Sequence, residues 1–195
     1  MTELPKRIVL ATRNPHKIEE ITRICGDWAV EWLSDREIPA VEETGSTYLE
    51  NAMLKAREVA RATGEAALAD DSGIEVDALG GAPGPRSARY AGDQASDEKN
   101  LRALLRATAG VPTGGRTARY RAVAVLAWPG GREVHAEATC EGLLAAKPRG
   151  VGGFGYDPVF VPLGDERTMA ELAPEEKDRV SHRGRALRAL RALLR

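Results

Sequence analysis

Cysteine is scarce in this chain: Cys25 and Cys140 are the two in 195 residues. They are too few and too unpatterned for a disulfide framework or a zinc site, and they suit a reducing cytosol. Aromatic residues are also few, at 5%, while hydrophobic content of 43% and charged content of 29% are ordinary globular values, which argues against disordered, fibrous and membrane classes. No apolar run exceeds Ala122 to Trp128, far short of a membrane span. Met1 to Ile8 holds no apolar stretch followed by small residues, so no secretory leader is expected. The net charge of −1 gives no overall field to attract a polyanion or an anionic surface. That charge is nonetheless uneven. Residues 165–178 are acid-rich, whereas 182–195 carry Arg183, Arg185, Arg188, Arg191 and Arg195 with no acid. A solvated helix face explains the arginines more simply than a nucleic-acid interface, and no stable nucleic-acid binding is expected.

What is present is a regular alternation of strand and helix signals over one domain, residues 1–195. Arg7 to Thr12 reads as a buried first strand, continuous in Ile8, Val9 and Leu10 as parallel strands tend to be. Asn14 then caps a helix that opens on Pro15 and carries Ile18, Ile21 and Cys25 on one face. A second strand falls near Ala29 to Leu33, and Thr47 with Glu50 forms a capping box for a helix bearing Leu49, Ala52, Met53, Ala56, Val59 and Ala60. Ala66 to Asp70 reads as a short strand ending on an acid pair, and Ile74 to Leu79 as another. Gly80 to Gly92 is a Pro/Gly-rich loop, and Ser96 caps a helix through Arg106. Thr117 to Trp128 and Arg132 to Glu141 form a hairpin around Pro129-Gly130-Gly131. Thr168 with Glu171 starts a short helix, and Ser181 caps the last one, with Leu187, Leu190 and Leu194 inward. The pattern predicts an α/β fold, a mixed sheet with helices packed on it.

Four clusters carry chemistry. Thr12-Arg13-Asn14-Pro15-His16-Lys17 leaves a strand and opens a helix, so hydroxyl, amide, ammonium and free backbone N–H groups converge where an anion is favoured. Asp70-Asp71-Ser72-Gly73 would by itself make a solvated turn, but adjacent carboxylates at a sheet's edge also suit Mg²⁺, a hard cation that uses one or two carboxylates plus substrate phosphates. Gly150 to Gly155 formally contains G-x-G-x-x-G. It fails as a dinucleotide site on context, because Tyr156-Asp157-Pro158 and a strand-like run follow it rather than a helix. Ser181-His182-Arg183 places two cations in the first turn of a helix, against its dipole. A locally unfavourable choice of that kind points to a functional reason.

Together these clusters resemble the inosine/xanthosine triphosphate pyrophosphatase family over about Ile8 to Leu194. The resemblance implies a curved mixed sheet in two lobes around a central cleft, a cytoplasmic homodimer, and hydrolysis of ITP, dITP and XTP to the monophosphate and pyrophosphate with Mg²⁺ as cofactor. It assigns Thr12, Asn14 and Lys17 to the triphosphate, with Arg13, Pro15 and His16 in the same segment. Asp71 becomes metal ligand and proton acceptor, Glu42 the second ligand, and Ser72 a nucleotide contact. Phe154 stacks on the base, Gly155 and Tyr156 share its segment, Asp157 anchors the nucleoside, and Lys177 reaches the substrate. His182 and Arg183 supply donors to the keto oxygen at purine C6. Glu50-Asn51-Ala52 and Ser87 to Tyr90 also match the family's look and shape the cleft, without individual roles.

Overall fold

The computed structural model describes residues 3–33 and 37–194, so Arg195 of the basic tail lies outside the described residues. Among the described residues, six strands form one mixed sheet in the order β2-β1-β3-β4-β5-β6: β1 Arg7–Leu10, β2 Glu31–Leu33, β3 Ala66–Val76, β4 Thr117–Ala127, β5 Glu133–Leu144 and β6 Phe160–Pro162. β1 runs parallel to both β2 and β3, and β5 antiparallel to β6. Among the described residues, five α-helices accompany them: α1 Pro15–Ile24, α2 Tyr48–Thr63, α3 Asp97–Ala107, α4 Pro174–Val180 and α5 His182–Leu193. The described residues fall into two compact units, one of residues up to 71, 122–138 and from 183 on, the other of 72–121 and 139–182.

In the first unit the unbroken apolar run of β1 follows from burial on both faces. Successive strand residues point to opposite sides. Ile8 and Leu10 pack with Leu68, Ala124, Leu126, α1 Ile21 and α5 Leu187 and Leu190, while Val9 and Ala11 pack with Ala67, Ala69, Val123, Val125 and the α2 residues Ala52, Ala56 and Val59. The small side chains on α2 let it lie close to the sheet. Its ends are fixed locally: the Thr47–Glu50 capping box is formed at one end, and at the other Gly64 takes φ +71° to end the helix with its amide on the Ala60 carbonyl.

The second unit packs Ile74, Val76, Leu101, Leu104, Tyr120, Cys140, Leu144, Phe160 and Met169 into its own core. Ser96 caps α3 by accepting from the Lys99 amide at 3.4 Å.

One expectation requires correction. The segments read as two strands on either side of a turn are one eleven-residue strand, so Asp70 to Gly73 lie inside β3, between β1 and β4, and not at a sheet edge. Ser181 ends α4 with its amide on the Lys177 carbonyl and directly precedes His182, the first residue of α5, the cap position expected of it. The sequence pattern does not single out α4. Pro174 at its first position and Glu175 and Glu176 in its first turn are ordinary start signals, but seven residues are too few to show apolar periodicity.

Candidate active site

The first unit gathers the Thr12–Lys17 segment and the acid pair. Asn14 Oδ1 accepts from the amides of His16 (2.9 Å) and Lys17 (3.3 Å), and Thr12 Oγ1 accepts from the Asn14 amide (3.2 Å), so two side chains of the motif fix the strand-to-helix turn. Arg13 is exposed and donates from Nη2 to the Ile38 carbonyl at 2.6 Å. Pro15 and His16 are exposed at the helix start. Lys17 turns inward, its Nζ 3.1 Å from Asp70 Oδ1. Burial lowers the Lys17 ammonium below its usual range, and Asp70 opposes that shift only in part.

Asp70 and Asp71 are consecutive in β3 and therefore face opposite sides of it. Asp70, 2% exposed, accepts on Oδ2 from Arg183 Nε (3.0 Å) and Nη2 (2.9 Å), while Arg183 Nη1 donates to Glu20. Burial pushes the Asp70 carboxyl upward, but Arg183, Lys17 and Lys55 outweigh it and hold it well below the carboxylate range. A value lower in the folded state than in the unfolded chain means that ionised Asp70 contributes stability above about pH 4 that is lost as pH falls. Urea midpoints followed from about pH 7 to about pH 3 are therefore expected to decline less steeply in Asp70→Asn than in the native protein. Equal slopes would remove Asp70 from the acid limb.

On the other side, Asp71 Oδ1 lies 3.0 Å from Lys55 Nζ, which also reaches Glu43 Oε1 at 2.7 Å and the Asp70 carbonyl at 2.8 Å. Asn51, one turn before Lys55 on α2, holds the Gly45 amide on Oδ1 at 2.8 Å and approaches Asp71 Oδ2 with Nδ2 at 3.5 Å. Gly45 has to be glycine, because a Cβ there would stand 2.6 Å from Glu50 Cβ and 2.7 Å from Asn51 Oδ1. Burial raises the Asp71 carboxyl above its usual value, with Lys55 and Lys17 opposing. Burial would lower Lys55, but Asp71, Glu43 and Asp70 together raise it. Glu42 is exposed, and it is Glu43 that shares the Lys55 ammonium with Asp71.

Among the described residues no three His, Cys, Asp or Glu side chains converge on one point. Magnesium does not require that, since it keeps waters and takes substrate phosphates as ligands. The Lys55 ammonium against Asp71 Oδ1 shows that this carboxylate is already disposed toward a cation. Asp71, with Glu42 or Glu43 from the neighbouring acidic turn, therefore fits a magnesium ion.

The second unit holds the remaining candidates. Asp157, 3% exposed, accepts on Oδ2 from the Phe154 amide (2.9 Å) and from Lys177 Nζ (2.5 Å), and on Oδ1 from the Tyr120 hydroxyl (3.2 Å). Lys177 Nζ also lies 5.0 Å from the centre of the half-buried Phe154 ring. The Gly155 amide donates to Asp97 Oδ2 at 2.9 Å, and the Tyr156 hydroxyl to the Ser87 carbonyl at 2.7 Å. Burial raises the Tyr156 phenol well above its usual value. Ser72 is half-buried in β3. His182 is buried with its ring parallel to that of Tyr120.

Gly150 to Gly155 form bends and turns leading toward β6, with no helix after them. A Cβ on Gly150 would meet the Ala170 carbonyl carbon at 2.4 Å, and one on Gly153 would meet Asp157 Oδ2 at 2.1 Å. These glycines are required by the protein's own close approaches, which removes the dinucleotide reading. Arg183 is buried and ion-paired, so it also leaves the exposed basic face of α5.

A profile of the Ham1 family matches residues 8–193. The chain belongs to the Ham1 family. A dITP/XTP pyrophosphatase of Geobacillus kaustophilus is 50% identical over 188 residues, covering 95% of this chain and 92% of that protein. One from Escherichia coli O157:H7 is 44% identical, covering 97% and 98%. Among solved structures, a Ham1 protein from Coxiella burnetii superposes with a TM-score of 0.86 at 40% identity, covering 96% of this chain and 97% of that one. This membership makes the fold an α/β mixed sheet of the Ham1 type, and the site motifs all fall inside the matched span. No helix among the described residues is long and apolar enough to cross a membrane.

Four site-forming residues of this Ham1 chain escaped the motif reading: Glu20, Lys55, Asp97 and Tyr120. Lys55 carried a usable signal, standing four residues after Asn51 and hence on the same helix face. The other three meet their partners across 37 to 163 residues, a separation no local pattern reports.

Proposed function

We propose that this chain hydrolyses deaminated purine nucleoside triphosphates, ITP, dITP and XTP, to the nucleoside monophosphate and pyrophosphate. The observation that carries the reading is the Lys17–Asp70 contact at 3.1 Å, which brings an anion-binding helix start beside the Asp70–Asp71 acid pair. Relatives at 50% and 44% identity named dITP/XTP pyrophosphatase support the substrate class. We treat residues 1–195 as one nucleotide-hydrolysing domain.

Thr12, Asn14 and Lys17, at the positive end of the α1 dipole, bind the phosphate chain, with Arg13 and His16 at its exposed side. Asp71 and Glu42 would hold magnesium, which would supply charge neutralisation and an activated water. Asp71 takes the proton from that water, a role favoured by burial that makes it a better base than a surface carboxylate. Attack at the α-phosphorus releases pyrophosphate into the grip of Lys17. Ser72 contacts the nucleotide, Phe154 stacks on the base within the Gly155-Tyr156 segment, Asp157 and Lys177 anchor the nucleoside, and His182 donates to the C6 oxygen, with Arg183 beside it in sequence. The family resemblance supports a homodimer as the working protein, and the two buried cysteines, which form no disulfide among the described residues, support a reducing, cytoplasmic setting.

A screen of nucleoside triphosphates, with pyrophosphate and phosphate detected separately, tests this. ITP should give IMP and pyrophosphate in one step. Accumulation of IDP with free phosphate would make the protein a stepwise phosphatase and overturn the reading.

A further inference from the structure

We propose that Tyr120 is a positioning residue for base selection, holding Asp157 and His182 in fixed orientation from a single ring. The inference rests on the reading of Asp157 and His182 as base-side residues. Tyr120 lies in β4 with its ring in the core of the second unit, 4.7 Å from Phe160 at a 59° tilt, and packing of that kind asks only for an aromatic ring. Its hydroxyl does something packing does not require. It donates to Asp157 Oδ1 at 3.2 Å, on the carboxylate oxygen opposite the one that takes the Phe154 amide and Lys177. Donors on both oxygens stop the carboxylate from rotating about its own bond.

The same ring stacks on the His182 imidazole at 4.4 Å with 8° between the planes. An imidazole lying flat on a fixed surface keeps one ring plane, and therefore one direction for its outward N–H. Tyr120 thus ties the loop carrying Asp157 to the start of α5, two places far apart in sequence. Preorganisation of this sort is expressed in binding, since a substrate meeting free rotors must order them itself.

The test uses the full-length protein, its Tyr120→Phe and Tyr120→Leu variants, and magnesium with ITP or ATP. Tyr120→Phe keeps the stack and loses the hydrogen bond. It is expected to raise KM for ITP about five- to tenfold with kcat within about twofold, and to change KM for ATP less. Tyr120→Leu loses both contacts and should raise KM for ITP further. One of three histidines in the chain, His182 is also open to direct observation. Its ring protons should be displaced upfield by Tyr120 in proton–nitrogen spectra of the native protein and of Tyr120→Phe, and should move to ordinary positions in Tyr120→Leu. A purely structural Tyr120 would lower Tm in both variants with KM for ITP unchanged, and that result would overturn the proposal. Tyr120→Phe alone decides the hydroxyl's part if the leucine variant does not fold. Absence of ITP hydrolysis in the native protein would defeat the functional reading instead, while wild-type KM in Tyr120→Phe beside an active native enzyme would defeat only the positioning role.

Discussion

Asp71→Asn is expected to lower turnover of ITP at least ~100-fold in a protein that still folds. Asparagine keeps the shape and can still meet Asn51 and Lys55, but it carries no negative charge and takes no proton from water. The fold should tolerate the change because the Lys55 ammonium keeps two other acceptors, Glu43 Oε1 at 2.7 Å and the Asp70 carbonyl at 2.8 Å. Loss of activity without loss of Tm therefore separates chemistry from architecture at this position. Magnesium affinity, followed by calorimetry on the same variant, should fall with turnover if one carboxylate serves both roles. Near-native turnover in folded Asp71→Asn would reject Asp71 as metal ligand and base, and would move attention to Glu43, the other carboxylate on Lys55.

The contrast between α2 and β3 explains how much of this molecule was readable from its residues. The capping box of Thr47 and Glu50 is a contact across three residues, and the sequence pattern states it completely. The apolar run of β1 likewise announced burial on both faces before any partner was known. Asp70 to Gly73 misled because Asp and Gly are poor strand formers and good turn formers, a local preference that tertiary interactions overrode. Those interactions come from Lys17, 53 residues away, and from Arg183, 113 residues away, and without them an acid pair could not lie buried in a central strand. The same network resolves the anomaly at the start of α5. A cation in the first turn opposes the helix dipole by roughly 0.3 to 1 kcal/mol, which is small beside two carboxylate partners out of water. Residue types that bind phosphate and metal were therefore legible, whereas the residues that hold them in place were not.

Arg183→Ala should cost about 3 to 5 kcal/mol of stability, the usual penalty for stripping one partner from a buried ion pair. At about 2 to 4 °C per kcal/mol for a chain of this size, Tm should fall by roughly 6 to 20 °C. The guanidinium is 2% exposed, and each of its three nitrogens faces Asp70 or Glu20, so removal leaves two carboxylates buried without their shared cation. Arg183→Lys keeps the charge but not the planar fork that meets Asp70 twice, and an intermediate loss is expected. Kinetics then tell this role from base reading. Hypoxanthine and xanthine present an acceptor at C6, whereas adenine presents a donor, so a guanidinium that read the base would discriminate ITP from ATP by tenfold or more per contact. A guanidinium committed to Asp70 and Glu20 does no such reading, and Arg183→Lys, or Arg183→Ala below its melting range, should lower kcat/KM for ITP, XTP and ATP alike, leaving their ratio within about twofold of native. Selective loss of ITP and XTP hydrolysis, with ATP hydrolysis unchanged, would instead return Arg183 to the base and leave the C6 oxygen with two donors, His182 and Arg183.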